Sequence, residues 1–201
     1  MQRQLDRALR FLNRVNSVVP QGDQDPDWQF LFQSMLVMVQ SFFEEYLRCI
    51  VSLGTLTTPE PIGRYLDAFP EGEDLALRPA VEIEPYAQAH ISFKKDARRL
   101  KDLMEVIIGR SPFPDADTEG MCVDLANVRN IILHGGGWPD DATAGTIKRH
   151  RDIIQTEAIG NANFYELKIS HDFMNAAFRA IGETVKTIDK ALLNHPDYRQ
   201  A

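Results

Sequence analysis

Arg129-Asn130-Ile131-Ile132-Leu133-His134, followed by the glycines Gly135, Gly136 and Gly137, is the stretch of this 201-residue chain whose residue types could do chemistry. A histidine titrates near neutral pH and can exchange a proton with a hydroxyl. An arginine presents a fixed fork of donors to phosphate oxygens, and the amide of Asn130 can orient a partner group. Together these groups suit phosphodiester cleavage with a ribose hydroxyl as nucleophile.

At about 100° per residue, Met121, Leu125, Val128 and Ile132 fall within one narrow arc, the expected core-facing stripe of a helix over 119–134. Asn130 and His134 form an i, i+4 pair on the opposite face. Arg129 stands at the border, where a long side chain can reach round. The three can therefore converge at one helix end, facing away from the protomer's own core. The same residues also have a plainer use. A histidine in the last turn complements the helix dipole and the free carbonyls, and the glycines after it are what a helix stop requires. Spacing alone does not decide between the two uses, so the surrounding elements carry weight.

Leu5, Leu9, Leu12 and Val15 recur at helical spacing and predict a first helix over 2–17, followed by the turn-forming PQGDQDPD. Asp25 or Asp27 as cap, with Pro26 in the first turn, opens a second helix expected to run to about Leu53, before Gly54. From Trp28 to Phe43 it is apolar on most sides, which predicts a central helix packed by neighbours on several faces or by a partner chain. Between Thr55 and Pro85 five prolines leave room for a short helix around Ile62 to Phe69, and this stretch reads as an insertion within one domain. The helical period returns from Tyr86 to Ile108. It carries the main basic cluster, Lys94, Lys95, Arg98, Arg99 and Lys101, which is a solvated face or a phosphate-contacting flank. After the motif come an expected helix over 143–156, a hairpin turning near Gly160 to Asn163, and a long closing helix over 171–193. The fold class is all-α: one helical bundle over 1–201 with a small β-hairpin near the C-terminal helix and a probable insertion around 55–85.

Composition narrows the function classes. With 44% hydrophobic and 25% charged residues, the chain is neither disordered nor of low complexity. A formal charge of -7 opposes a broad nucleic-acid-coating surface but not a small local site. The most apolar segment is interrupted by Gln29, Gln33, Ser34, Gln40 and Ser41 and predicts a buried helix, not a membrane span. Cys49 and Cys122 read as reduced, buried thiols of a cytoplasmic protein, and the charged amino terminus lacks the apolar core of a secretory signal. His90, His150, His171 and His195 are scattered without metal-ligand spacing, and Ser170-His171-Asp172 reads as a helix start. Trp138-Pro139 is expected to anchor the loop after the motif.

RNIILHGGG, at the end of a helix in an all-helical chain with a long helix before it and a hairpin plus helix after it, resembles the HEPN superfamily. Its members are small helical bundles with an Arg-x4-6-His motif, often with Asn, Asp or His directly after the arginine, and many are ribonucleases. The resemblance implies that His134 is the general acid/base, that Arg129 holds the scissile phosphate, and that Asn130 orients. It implies attack by the RNA's own 2′-hydroxyl with no metal and no cofactor, leaving a cyclic phosphate and a 5′-hydroxyl. It further implies a homodimer that sets two motifs side by side, an RNA substrate, and a role as toxin or antiphage effector restrained by an antitoxin such as a nucleotidyltransferase. Members often place a polar or acidic residue on the preceding long helix, for which Glu44, Glu45 and Arg48 are candidates; their plainer role is a polar end to a buried helix. The competing expectation is a non-catalytic module of the same fold whose helix end packs against a second copy or a partner protein.

Overall fold

The computed structural model describes residues 26–69, 74–89, 91, 93–139, 144–145, 147, 153–159 and 162–196. Over these residues the chain is mostly helical, as α1 (Pro26–Thr57), α2 (Pro59–Leu66), α3 (Ala80–Ala89), α4 (Phe93–Ile108), α5 (Ala116–Gly135) and α6 (His171–Asn194), with one antiparallel hairpin of β1 (Ile154–Ile159) and β2 (Ala162–Leu167). The helix expected over 2–17 and most of that expected over 143–156 lie outside the described residues. The described end of the latter is a correction, because Ile154, Gln155 and Thr156 are in β1 and pair with Leu167, Glu166 and Tyr165. No helix among the described residues is long and apolar enough to cross a membrane. The chain divides into two compact units, Met1–Phe42 with Glu119–Ile181, and Phe43–Thr118 with Gly182–Ala201.

In the first unit, the apolar positions of α1 bury Phe32, Met35, Leu36 and Val39, α5 buries Cys122, Leu125, Val128 and Ile131, and α6 buries Phe173, Ala177 and Phe178. Neighbours within the chain cover several faces of α1 and leave one stripe open: Phe30 is 73% exposed and Met38, two turns on, 40%. The hairpin runs in register from Ile154 opposite Leu167 to Ile159 opposite Ala162, and the Lys168 amide donates to the Ile153 carbonyl at 2.7 Å beyond its open end. Ser170 caps α6 by accepting from the Phe173 amide at 3.1 Å, as its sequence suggests.

In the second unit, α1 does not stop at Gly54. A Cβ at that position would lie 2.7 Å from Ile107 Cγ2 on α4, so the glycine marks a close helix approach, and α1 continues to Thr57. Thr55, Thr57 and Thr58 hydroxyls donate back to the carbonyls one turn earlier, and Pro59 then starts α2. The proline-rich stretch supplies core: Ile62, Leu66, Leu75 and Ile83 are all buried. The continuous helix expected from Tyr86 to Ile108 is two helices, and the first begins at Ala80 and includes Pro85. Its exposed flank tolerates the missing donor, while Ile83 and Ala87 face inward. Tyr46 is buried and its hydroxyl donates to Asp189 Oδ1 at 2.7 Å. Of the two cysteines, Cys122 is buried as expected, whereas Cys49 is exposed; both are free thiols.

Candidate functional site

Local sequence fixes both ends of the helix that carries the motif. At its start the Thr118 amide donates to Asp115 Oδ1 at 2.7 Å, and this bond holds the Asp115 carboxyl below the usual aspartate range. At its end the Gly136 amide donates to the Ile132 carbonyl at 3.1 Å and the Gly137 amide to the Ile131 carbonyl at 3.3 Å. Gly136 has φ 60° and Gly137 φ 89°, so both need a residue without a Cβ for an unstrained stop.

The motif residues are placed differently from one another. Arg129 is half-buried and its Nη1 donates to Asn130 Oδ1 at 3.1 Å. Of the convergence expected of the three residues, the structure brings Arg129 and Asn130 together. Asn130 is half-buried on the outward face, one turn before His134. His134 is exposed in the last turn and makes no hydrogen bond or ion pair among the described residues. The core stripe differs from the expected one at its end: Met121, Leu125 and Val128 are buried, but the last buried position is Ile131, with Ile132 only half-buried. Burial also spreads to Cys122, Asp124 and Ala126, so the helix is packed over a wide arc, with Asn127 and Asn130 half-buried and His134 exposed on one side of it.

Leu133, beside His134, is 48% exposed, and Trp138, four residues after it, is 56% exposed, while Pro139 is buried. The expected anchor of this loop is therefore Pro139 and not the tryptophan. The chain leaving α5 is tied down by its backbone: the Leu167 amide donates to the Gly137 carbonyl at 2.9 Å, and the Gln33 amide group, which donates weakly to the Leu167 carbonyl at 3.4 Å, lies 3.3 Å from where a Gly137 Cβ would stand. One turn earlier on α1, Gln29 grips Ile169 by both backbone groups. These two glutamines, expected only as polar breaks in an apolar helix, hold the strand exit against which the motif's loop is pinned. Their i, i+4 spacing inside apolar sequence is the signal that could have marked them.

Glu44, half-buried, and Glu45 and Arg48, both exposed, belong to the second unit. His90 and His150 lie outside the described residues, and His171 packs its ring 5.3 Å from that of Phe32 at the start of α6. Among the described residues no three His, Cys, Asp or Glu side chains are grouped to hold a metal ion. Chemically, the arrangement offers a titratable group open to solvent, with a positioned guanidinium and amide one turn behind it. Comparison with protein-family models, with curated proteins and with solved structures finds no match to this chain.

Proposed function

We propose that this chain is a metal-independent endoribonuclease of the HEPN type. The observation that carries the reading is the division of labour at the end of α5: Arg129 and Asn130 bonded to each other at 3.1 Å and half-buried, with His134 exposed and unengaged among the described residues. A guanidinium held by a neighbouring amide is preorganised to meet phosphate oxygens, and so loses less freedom on binding than a mobile one. An open imidazole can take the proton of a ribose 2′-hydroxyl. That oxygen then attacks phosphorus, the bond to the 5′-oxygen breaks, and the leaving oxygen takes a proton to give a cyclic phosphate and a 5′-hydroxyl. The working form in this reading is a homodimer with two motifs side by side, and the exposed Leu133 and Trp138 on either side of His134 suit a protein contact there.

The test is incubation of a mixed RNA pool with the full chain and with His134→Ala, in EDTA, with analysis of product ends. Cleavage by the wild type alone, leaving cyclic phosphates, is the expected result. The exposure of Leu133 and Trp138, with the net charge of -7, also favours a second reading, a non-catalytic interaction module. Under that reading both proteins are inert towards RNA, and His134→Ala alters self-association or partner binding instead.

A further inference from the structure

The helix α4 carries its charges in the reverse of the order that a helix favours. Five of the chain's 22 lysines and arginines, Lys94, Lys95, Arg98, Arg99 and Lys101, stand in its first nine residues beside a single acid, Asp96. Asp102 and Glu105 follow, and the last turn has no basic residue. The macrodipole favours acids first and bases last, and Lys94 with Arg98, like Lys95 with Arg99, places like charges one turn apart. A chain of formal charge -7 therefore gathers cations where they oppose its own helix. Conflicts of this kind between local preference and structure are expected where function sets the residue.

Aromatic rings of the same unit stand beside one of these cations, Arg99. The Arg99 guanidinium lies 4.3 Å from the centroid of the Phe69 ring, and that ring meets Tyr65 edge-on at 5.3 Å. The Tyr65 hydroxyl donates to the Arg99 carbonyl at 3.1 Å, which fixes α4 against the ring pair. Arg98 is 89% exposed, and its contact with Asp102 is long, at 3.9 Å.

We infer that the first half of α4, with Phe69 and Tyr65, is a contact surface for single-stranded RNA, in which Arg98, Arg99 and Lys101 meet phosphates and the rings meet bases. Adjoining rings suit unpaired bases, which stack on aromatic and guanidinium planes. A lipid surface is disfavoured, because between Lys94 and Lys101 only Ala97 and Leu100 are apolar, Leu100 is buried and Ala97 is too small to insert. The choice of RNA as the anion rests on the ribonuclease reading; the surface itself uses none of Arg129, Asn130 and His134.

The test is fluorescence anisotropy of the full chain with a labelled, unstructured RNA bearing 2′-O-methyl groups throughout, which blocks cleavage by a 2′-hydroxyl, titrated at several salt concentrations. Each single-strand phosphate contact contributes about 0.7 to the slope of log K against log salt, so the triple variant Arg98→Gln, Arg99→Gln, Lys101→Gln is expected to flatten the slope by about 2 and to weaken low-salt binding by about tenfold or more. Arg98→Glu alone, at an exposed position where folding is not at stake, is expected to weaken binding in the same direction. Wild-type affinity and slope in both α4 variants overturn the inference, even where the chain cleaves RNA. Failure of the wild type to bind RNA overturns it too, with phosphatidylserine vesicles as the alternative probe for the same cations. Binding lost in the α4 variants of a chain that cleaves nothing supports the surface and sinks the ribonuclease reading instead.

Discussion

Gln29 and Ile169, 140 residues apart, pair as two strands would: the Ile169 amide donates to Gln29 Oε1 at 2.7 Å, and Gln29 Nε2 donates to the Ile169 carbonyl at 3.0 Å. A side-chain amide thus completes the hydrogen bonding of a buried residue that has just left β2. Gln29 is itself buried, so neither backbone group has water in reserve.

Replacing Gln29 by Leu, similar in size, leaves both Ile169 groups unpaired, and each such group costs about 1 to 3 kcal/mol. Urea unfolding of Gln29→Leu should therefore show a loss of about 2 to 5 kcal/mol with the slope unchanged. Gln33→Leu, whose contact with the Leu167 carbonyl is long at 3.4 Å, should cost clearly less. Equal losses for the two variants contradict this ranking.

The motif helix ends on two glycines in strained territory for any other residue, but their surroundings differ. An added methyl at Gly136 meets nothing within 4 Å, so Gly136→Ala should cost only the backbone penalty of about 1 to 2 kcal/mol. At Gly137 the φ of 89° is further from the left-handed minimum, and the methyl would press on Gln33 at 3.3 Å. Gly137→Ala should be the worse of the pair, by about 1 kcal/mol in thermal or urea unfolding. A reversed order would mean that the stop is not held by Gln33.

The ease of reading the chain follows how local each determinant is. Helix α6 matches its sequence signals closely, because a cap at Ser170 and an unbroken 3.6 period act within a few positions, whereas the hairpin matches only from Glu157 on, its first three residues Ile154 to Thr156 falling where a helix is expected. Gly54 misleads, since a glycine marks either a stop or a close approach, and only Ile107, 53 positions further on, decides which. The start of α3 at Ala80 is hidden because proline density predicts irregular chain where Ile83 and Ala87 find a core to face. At the site, the end of α5 and the outward position of Asn130 and His134 are legible from spacing. The burial of Ile131 in place of Ile132 is not, because it depends on what packs there. Nor is the Gln29 pairing, which needs a partner from the far end of the chain.

Asp115 gives a pH dependence with a defined sign. The Thr118 amide lowers the carboxyl's pKa in the folded state, so the folded chain binds its proton less readily than the unfolded chain. The contribution is present above the ordinary aspartate range and is lost as pH falls through it. The melting temperature of the wild type should exceed that of Asp115→Ala at pH 7, and the gap should close as the pH falls below the ordinary aspartate range and through the lowered folded value. A gap that persists in acid would show that the carboxylate form is not what caps α5.

His134 and Arg129 should separate activity from stability. His134 is exposed and has no hydrogen bond or ion pair among the described residues, so His134→Ala should change unfolding free energy by no more than about 0.5 kcal/mol. Arg129 is half-buried and bonded to Asn130, so Arg129→Ala should cost about 1 to 2 kcal/mol through lost packing of its stem and the lost bond. If the two act together on RNA, both variants nonetheless lose cleavage, His134→Ala by about 10²- to 10⁴-fold as expected for a removed acid/base. Arg129→Lys should recover little of that loss, since an ammonium keeps the charge but not the fork that meets a phosphate on one side and Asn130 on the other. Cleavage retained in His134→Ala, at unchanged stability, removes the histidine from the chemistry. Cleavage lost in proportion to stability across the series would reduce the motif to a structural helix end.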